Sequence, residues 1–307
     1  MKIKIKIINS MFRIVLIFIF LFVSFCSFGQ IGNAWQKQPH ELMFAIGTNN
    51  FLGELGGSDG IGSHTIKDLD FKASRFVFQG GYAFRFAKRF AIGADLAFAM
   101  IAGKDQYTNN PIRNARNLEF RSPVIELAPL IYFYPMVDDY SITRKLGQKG
   151  KAIVRPRIYI CTGVAAVWFN PRAKYIDGKW YSLRSLGTEG QGIIATRKKY
   201  SPVTLGIPAA VGIDFPLTRE WMIGAKVQFT YTFTDYMDDV STTYVDPAIF
   251  DDPVAAYFSN PTLNTAEPFI GAGPGEQRGN SANKDSYLFF NITVKYRFGQ
   301  KYYRPKY

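Results

Sequence analysis

Eight charged residues occupy the small or polar positions of segments in which bulky apolar residues alternate with other types. They are the acids Glu41, Asp95, Glu126 and Asp214 and the bases Arg85, Lys226, Lys295 and Arg297. A period of two places such side chains on one face of a strand, opposite the apolar face. Because buried charges need partners, equal numbers of acids and bases predict a paired network that fills an interior. An ion or proton path along the same residues is the alternative.

Catalysis has little support in the residue types of this chain. A lipid hydrolase or acyltransferase would need a nucleophile beside a base. The histidines are His40, just before the first alternating segment, and His64, which adjoins Ser63 in a long connection. Neighbours in sequence rarely form a working pair, so we expect His64 to be a surface loop residue and the protein not to be an enzyme.

Six aspartates lie in the longest connection, and oxygen-rich loops can hold calcium. They are Asp235, Asp238, Asp239, Asp246, Asp251 and Asp252. Their spacing is not that of an EF-hand, so we expect solvated loop acids or helix caps, with calcium as the alternative. The glycine-rich segment 271–275 does not link a strand to a helix, which makes it turn material rather than a phosphate loop. No cofactor or metal site is predicted.

The N-terminus predicts a signal peptide over residues 1–29. Residues 14–25 form an apolar stretch shorter than the ~20 residues of a membrane-spanning helix. Ser27 and Gly29 are the small residues that a signal peptidase requires, so cleavage is expected before Gln30. An uncleaved anchor and a lipoprotein attached through Cys26 are the alternatives. The basic residues of the segment are Lys2, Lys4, Lys6 and Arg13.

Removal of this segment defines the mature chain. Only Cys161 then remains, so no intrachain disulfide is expected. The formal net charge falls from +13 to +9, because four basic residues and no acidic ones are lost. A basic exported protein meets few nucleic acids, so the expected anionic partners are lipid phosphates or acidic proteins.

Alternation with a period of two recurs along the mature chain and is clearest over 221–233, where odd positions are bulky and apolar. Strands of ~9–13 residues are long enough to cross a bilayer at a tilt. The aromatic-rich face would meet lipid, and the small and polar face would line a narrow lumen; a soluble sandwich is the alternative. Bulges are expected at Pro123, Pro129 and Pro208. The predicted strands are about 41–49, 76–86, 90–100, 118–134, 157–169, 203–215, 221–233 and 288–298.

The connections alternate in length. Those at 87–89 and 217–220 are short, and the long ones are at about 50–74, 104–117, 170–202 and 236–285. Short periplasmic turns and long extracellular loops are typical of outer-membrane barrels, and closure satisfies every backbone group in lipid. We therefore predict an all-β fold: a closed antiparallel transmembrane β-barrel of about eight strands over 30–299, followed by a basic and aromatic tail, 300–307.

Two groups of basic residues would lie on the periplasmic side. One crowds the long link at 136–156, and the other lies in the tail. We expect them to bind a periplasmic partner or inner-leaflet headgroups; a merely solvated basic rim is the alternative. They are Arg144, Lys145, Lys149, Lys151, Arg155 and Arg157 in the link, and Lys301, Arg304 and Lys306 in the tail.

Three segments resemble a family of Bacteroidota outer-membrane barrels related to PorG of the type IX secretion system. They are Asn-Phe-Leu-Gly-Glu-Leu-Gly-Gly at 50–57, Arg-Asn-Leu at 116–118, and Asp-Tyr-Met-Asp-Asp-Val-Ser-Thr-Thr-Tyr-Val-Asp-Pro at 235–247, the most specific of the three. The resemblance implies an eight-stranded barrel that associates with periplasmic ring components of the secretion machine. No catalytic residues carry over from it.

The leading interpretation is a non-enzymatic outer-membrane barrel that anchors or scaffolds an envelope complex, with type IX secretion as the implied system. A small channel or a surface ligand-binding barrel is the second interpretation, and a lipid-modifying enzyme is the third. The expected partners are outer-membrane lipid, lipopolysaccharide and periplasmic secretion-ring proteins, with no nucleic acid and no cofactor.

Overall fold

The computed structural model describes residues 36, 38–55, 73–107, 111–136, 156–218, 220–262 and 272–299. Its strands are β1 His40–Leu52, β2 Arg75–Arg85, β3 Phe90–Lys104, β4 Glu119–Phe133, β5 Arg157–Gly163, β6 Ala165–Phe169, β7 Arg172–Lys174, β8 Trp180–Ser182, β9 Val203–Pro216, β10 Trp221–Thr232 and β11 Ser286–Phe298. Three short α-helices lie between them, α1 Pro111–Arg116, α2 Leu183–Leu186 and α3 Pro253–Ser259, with 3₁₀ turns at Asp105–Tyr107 and Pro247–Ile249. No helix in the described part of the chain is long and apolar enough to cross a membrane.

The strands close into a barrel of eight antiparallel segments, here called staves. Seven staves are single strands, and one consists of several shorter strands. Each stave pairs with the next stave in sequence, and β1 completes the ring by pairing with β11 over its whole length. Strands β5, β6 and β7 are successive pieces of the fifth stave, because each pairs with β4 and the first two also pair with β9. The predicted closed antiparallel barrel is confirmed, and closure pairs each of the eight staves on both sides, while β8 extends the sheet at β7.

The prolines do not produce the bulges that were predicted. Strand β4 runs unbroken through Pro123 and Pro129 in constant register with β3, and β9 runs unbroken through Pro208. The interruption falls instead on the fifth stave, at Val164, which lies opposite Pro129. Proline has no N–H to donate, so its neighbour loses a ladder bond while the register on both sides of the gap is preserved.

The two ends of the barrel differ. At one end, here called the turn end, the link 86–89 is tight, the strands β9 and β10 end and begin within a few residues of each other, and the chain enters at β1 and leaves at β11. At the opposite end, here called the loop end, the four long connections pack together with the three short helices. The predicted signal peptide, the basic link residues 144–155 and the tail 300–307 lie outside the described residues.

The outer face of the staves is apolar and exposed. Phe44 is 67% exposed and Phe76 is 69% exposed, and the alternate residues of each stave face inward and are buried. The same outward set includes Ile46, Phe78, Leu96, Phe98, Leu127, Ile131, Leu205, Val211 and Ile292. The alternation predicted for β2, β3, β9, β10 and β11 is therefore present.

Aromatic residues also fill the lumen. The alternation in the sequence predicts only small and polar residues on the inner face. Tyr159 and Tyr287 point inward and are fully buried. Gly212 is the register partner of Tyr159, and a β-carbon at Gly212 would collide with the tyrosine ring. Glycine on one stave thus provides the volume for an aromatic ring on the next, and the interior is packed with side chains, as the diameter of an eight-stranded barrel allows.

Candidate functional site

An ion-pair network fills the lumen near the turn end. The Arg157 guanidinium donates to the carboxylates of Glu41, with Nη2–Oε2 at 2.7 Å, and Asp214, with Nη2–Oδ2 at 2.7 Å. The Lys295 ammonium lies 3.0 Å from Asp214 Oδ2 and 3.6 Å from Glu41 Oε1. The Tyr159 ring centroid lies 3.8 Å from Lys295 Nζ. Each charge has an opposite charge within hydrogen-bonding or ion-pairing distance.

Arg157 belongs to this network and not to the basic link with which its sequence position grouped it. It is the first residue of β5, and its side chain is buried in the lumen. Its inward position was hard to predict because both faces of 157–169 are apolar, so the alternation does not distinguish inside from outside. The grouping of Arg157 with the link is therefore wrong.

A second pair lies closer to the middle of the barrel. Lys226 Nζ is 2.6 Å from Asp95 Oδ2, and both side chains are almost completely buried. The same carboxylate also accepts hydrogen bonds from Gln79 Nε2 at 3.2 Å and Tyr132 Oη at 3.1 Å. Asp95 thus has three donors from three staves, and Lys226 is the one cation among them.

Glu126 is held by neutral donors. Its carboxylate accepts from Tyr287 Oη at 2.5 Å, Gln228 Nε2 at 2.7 Å and Thr230 Oγ1 at 3.0 Å. Gln228 in turn accepts from Gln79, which links this cluster to Asp95. The polar chain from Lys226 to Tyr287 therefore crosses the lumen through side chains.

The remaining two predicted lumen bases lie at the turn end. Arg85 Nη2 donates to the Lys88 carbonyl at 2.6 Å, and the Arg85 guanidinium carbon is 4.5 Å from the Tyr134 ring centroid. Arg297 is buried beside them. A cavity of about 10 Å³ lies between Arg85, Arg297 and Glu41, which is the size of a single water. All eight residues of the predicted network are thus buried on the inner face.

The histidine within the described residues does not form a catalytic pair. His40 Nδ1 lies 2.7 Å from Tyr82 Oη, and its ring stacks on Phe298 with centroids 5.1 Å apart. These are contacts of a ring in an aromatic cluster at the turn end. His64 and Ser63 lie outside the described residues.

The long connections form an ordered structure over the loop end, here called the loop cap: the described residues among 53–55, 105–118, 175–202, 233–262 and 272–285. Asp105 accepts from Arg116 Nε and Nη2, both at 2.8 Å, and from the Leu118 amide at 3.1 Å. Arg113 and Arg116 also donate to the Glu54 carbonyl. The first and second long connections are therefore joined by two arginines.

A second hub joins the third and fourth long connections. Buried Glu189 accepts from Arg278 Nη1 at 3.0 Å and from the amides of Ser241 and Thr242. Arg278 Nη1 also donates to the Asp239 carbonyl at 2.7 Å. Because Arg116 donates to the carbonyl of Arg278, at 3.1 Å, the two hubs form one network.

Three of the loop aspartates, Asp235, Asp238 and Asp239, are buried in the cap, so the prediction that they are solvated is wrong. Asp239 accepts from the Tyr200 hydroxyl at 2.6 Å and from the Thr188 hydroxyl. Asp238 accepts the amides of Leu55 and Val240. Backbone amides and hydroxyls, rather than water, satisfy these two carboxylates.

The other loop aspartates are exposed at the surface of the cap. Asp246 caps the single 3₁₀ turn Pro247–Ile249 and Asp252 caps α3, in agreement with the expectation of helix caps. Asp251 is exposed. In the described part of the chain, no three His, Cys, Asp or Glu side chains converge as metal ligands.

Four carboxylates of the cap lie close enough to perturb one another. Burial raises the pKa of Asp235 to about 8, and Glu54 adds to the rise. Burial also raises the pKa of Asp238 and of Asp285 well above the usual range, and each is raised further by its acidic neighbours. Both carboxylate oxygens of Asp235 are buried, and the Ser241 hydroxyl is near enough to favour the charged form without completing a hydrogen bond. The raised pKa values therefore favour the protonated forms of Asp235, Asp238 and Asp285.

Replacing Asp235 with Asn should stabilise the cap at alkaline pH. With a folded pKa near 8 and an unfolded value near 3.8, the folded cap retains a proton that the unfolded chain releases. Stability therefore falls as pH rises from ~4 to ~8. The variant should lose the part of this slope that Asp235 contributes and gain about 1–2 kcal/mol at pH 9, with little change at pH 4, after allowance for partial solvent screening. Hydrogen exchange of amides 236–245 measures it.

The matched control is Asp246→Asn in the same connection. Asp246 is exposed and acts as a helix cap, a role in which asparagine is as good. This variant should keep the wild-type pH slope. A wild-type slope in the Asp235 variant would contradict the assignment. The groups facing Asp235 are Glu54, Glu189, Asp238, Lys284 and Asp285.

A cavity of about 200 Å³ opens under the cap beside β7 and α3. Charged groups on its wall include Lys104, Glu119, Asp238 and Arg278, and Phe258 provides an apolar wall. Lys104 and Glu119 are ion-paired at 2.8 Å. The volume is below the ~300 Å³ at which ligand pockets usually begin, so it fits a small molecule or one group of a larger one.

Solved structures with a similar chain topology are bacterial outer-membrane proteins. Ail of Yersinia pestis, solved with the heparin analogue sucrose octasulfate, is 10% identical, with a TM-score of 0.37 over 84% of this chain and 99% of Ail. OprG from Pseudomonas aeruginosa is 10% identical, with a TM-score of 0.36 over 88% and 100%. Neisserial surface protein A is 8% identical, with a TM-score of 0.36 over 84% and 96%. Values this low leave function to be argued from the chain's own residues.

No curated protein shows a significant sequence match to the chain. One family model does match, over residues 13–246, and it is described as a domain of unknown function, DUF6089. The match spans the first seven staves and includes Glu54, Arg116, Glu189 and Asp239 of the loop cap. Because it covers well over half of the 307 residues, the chain belongs to the DUF6089 family.

Proposed function

We propose that the barrel is inserted in the outer membrane, with hydrocarbon against its outer face. The observation that carries this proposal is the inversion of polarity: large apolar side chains cover the exposed face while charges fill the interior. Soluble proteins rarely expose a continuous apolar surface of this extent. On β4 the outward residues are apolar from Ile131 to Pro123, ~27 Å along the strand and ~20 Å along the membrane normal at a tilt of ~40°.

The orientation follows from the two ends. Even-stranded barrels of this class carry short turns in the periplasm and long loops outside, so the turn end would face the periplasm and the loop cap the exterior. The predicted signal peptide 1–29 supports export. Recovery of the mature chain as a soluble monomer without detergent would contradict the proposal.

A barrel filled in this way should not conduct ions. Lys226, Asp95, Gln79, Gln228 and Glu126 are buried and bond to one another across the lumen, so an ion would have to break these contacts to pass. In planar bilayers the purified chain should give no stepwise current, whereas a wide porin measured in parallel should. A steady, ion-selective conductance would contradict the plug and favour the channel interpretation.

We further propose that the barrel is non-enzymatic and anchors an envelope complex, with type IX secretion as the system. The support is the resemblance of segments 50–57, 116–118 and 235–247 to the PorG-related barrels. The described residues of all three segments meet in the loop cap, through Glu54, Arg116 and Asp239. The periplasmic contacts would come from the basic link and the tail.

Affinity purification from the native envelope tests the anchoring role. Deletion of 300–307, or neutralisation of Lys149, Lys151 and Arg155, should reduce the recovery of periplasmic ring proteins several-fold. Neutralisation of Lys198 and Lys199, which are exposed on the loop cap, is the control and should not. Unchanged partners in the first two variants would refute the periplasmic contacts.

A surface ligand-binding barrel is the second candidate, and the cavity of about 200 Å³ under the cap favours it. The two candidate functions predict different effects of a substitution at the loop end. An anchor that works through its periplasmic side should keep its partners when Phe258, on the cavity wall, is replaced by alanine. A surface receptor should lose its ligand with the same change.

A further inference from the structure

The outer face of the barrel is not uniform at its loop end. On β2 and β9, and just beyond β10, the outermost outward side chains are Phe76, Val203 and Phe233, all apolar and exposed. On β4 and β7 the corresponding positions carry Arg121, Arg172 and Lys174, which are exposed as well. These three cations are here called the basic patch. One sector of the rim is therefore cationic where other sectors are apolar.

Two arginines of the basic patch lie directly opposite each other. Arg121 and Arg172 are register partners on adjacent antiparallel strands, with both side chains on the outer face. Like charges in this position repel and destabilise the pair. Among the described residues no acid is ion-paired to either, because the nearby Glu119 carboxylate is bound to Lys104 at 2.8 Å. An anion from outside the chain would remove the repulsion.

An aromatic ring accompanies the cations. The Arg121 guanidinium carbon lies 5.2 Å from the Trp180 ring centroid, and Trp180 is half-exposed on β8, opposite Lys174. The β7–β8 hairpin is supported from its other face by α3, with Tyr175 and Tyr257 centroids 5.2 Å apart. The patch is thus held facing outward by packing behind it.

The level of the patch on the barrel indicates what it meets. Along β4, Ile125 and Pro123 are the last apolar outward residues, and Arg121 is the next outward position. It therefore lies ~7 Å along the strand beyond the apolar band. With hydrocarbon against that band, this is the depth of lipid headgroups, where tryptophan is also enriched. The assignment of Arg121 to headgroup depth rests on the proposed membrane insertion.

We propose that Arg121, Arg172 and Lys174, with Trp180 beside them, bind the phosphate of a phosphorylated glycolipid in the outer leaflet. Paired guanidinium groups match the geometry of a phosphate and bind it with parallel hydrogen bonds. The indole ring packs on the apolar part of the headgroup region. The lipid phosphate neutralises the Arg121–Arg172 repulsion and fixes one sector of the barrel in the leaflet.

Native mass spectrometry of the detergent-purified mature chain, titrated with diphosphoryl lipid A, tests the site. Wild type should bind this lipid more tightly than dephosphorylated lipid A. The double variant R121Q/R172Q should weaken binding about 10–30-fold, because each basic residue near an anionic surface contributes about a three- to fivefold factor. The control K198Q/K199Q removes two exposed charges elsewhere on the cap and should bind like wild type.

Three outcomes would overturn the site: undiminished binding by R121Q/R172Q, equal binding of dephosphorylated lipid A, or full competition by excess inorganic phosphate, which would indicate a soluble anion instead. Both substituted positions are exposed and like-charged, so the variant should fold. Flotation with phosphatidylcholine vesicles separates the two proposals. If wild type does not float, membrane insertion fails; if all variants float and bind alike, only the patch fails.

Discussion

Replacing Lys226 with Met should lower the free energy of unfolding of the barrel by about 3–5 kcal/mol. Lys226 is the one cation bound to Asp95, at 2.6 Å, and neither side chain reaches solvent. Removing one partner of a buried pair leaves the other charge uncompensated, which costs far more than the pair itself contributes. Denaturant unfolding in detergent micelles, followed by the heat-dependent shift in electrophoretic mobility, measures the change.

The double variant Lys226→Met, Asp95→Asn separates charge from packing. Asparagine keeps the shape of Asp95 beside Gly81 and still accepts from Gln79 or Tyr132, so most of the lost stability should return. Lys198→Met, on the exposed surface of the cap, is the control and should change stability by less than about 0.5 kcal/mol. A Lys226 variant as stable as wild type would show that the pair lies in water and that the lumen is not filled.

The staves could be predicted because the physics that builds them is local. Side chains alternate across a strand, so a stave with lipid on one side and packed charges on the other records both surroundings in its sequence. This is why Lys226, between Ala225 and Val227, and Lys295, between Val294 and Tyr296, were placed inward from the alternation. Each prediction used only residues of one strand.

The alternation cannot identify the inner face of a strand whose inward and outward residues are both apolar. Around Arg157, inward Tyr159 and Cys161 and outward Ile158 and Ile160 are all hydrophobic, so the inner face cannot be chosen from the pattern. A lumen filled with aromatic rings removes the contrast on which the prediction depends. Only the pairing of β5 with Asp214 on β9 places Arg157 inside.

The loop cap could not be predicted from its own segments. Aspartates in a polar connection have the composition of a solvated loop, and nothing local marks them as buried. Asp239 is buried by contacts with Tyr200 and Thr188, whose hydroxyls donate to its carboxylate from 39 and 51 residues away in sequence. Partners at that separation carry no periodic signal, so the contact is visible only once the ring of staves has brought the loops together.

Arg278→Met should open the loop cap while leaving the barrel closed. Arg278 is buried, and its guanidinium binds the Glu189 carboxylate at 3.0 Å and the carbonyl of Asp239 at 2.7 Å. The carbonyl of the same residue accepts from Arg116, which joins the hub to the first and second connections. Loss of the side chain leaves Glu189 charged and buried, so the cap should lose about 3–5 kcal/mol.

The cap and the barrel should respond separately, because few of the cap's polar contacts reach the lumen. Hydrogen exchange of amides 185–200 and 235–245 should accelerate by two orders of magnitude or more, since each ~1.4 kcal/mol is a factor of ten in the opening constant. Amides of β10 and β11 should keep their protection. In Lys226→Met the order of effects should reverse, with the staves losing protection first.

Lys284→Met is the matched control for this variant. It removes a cation from the same connection, but Lys284 is only half-buried and its ammonium donates to a single carbonyl, that of Ser281, at 2.8 Å. At pH 6, where Asp235 keeps its proton with or without Lys284, the exchange rates of this control should stay near those of wild type. If the Arg278 and Lys284 variants behaved alike, the buried Glu189–Arg278 pair would not hold the loops together, and the cap would depend on its apolar contacts around Phe258 instead.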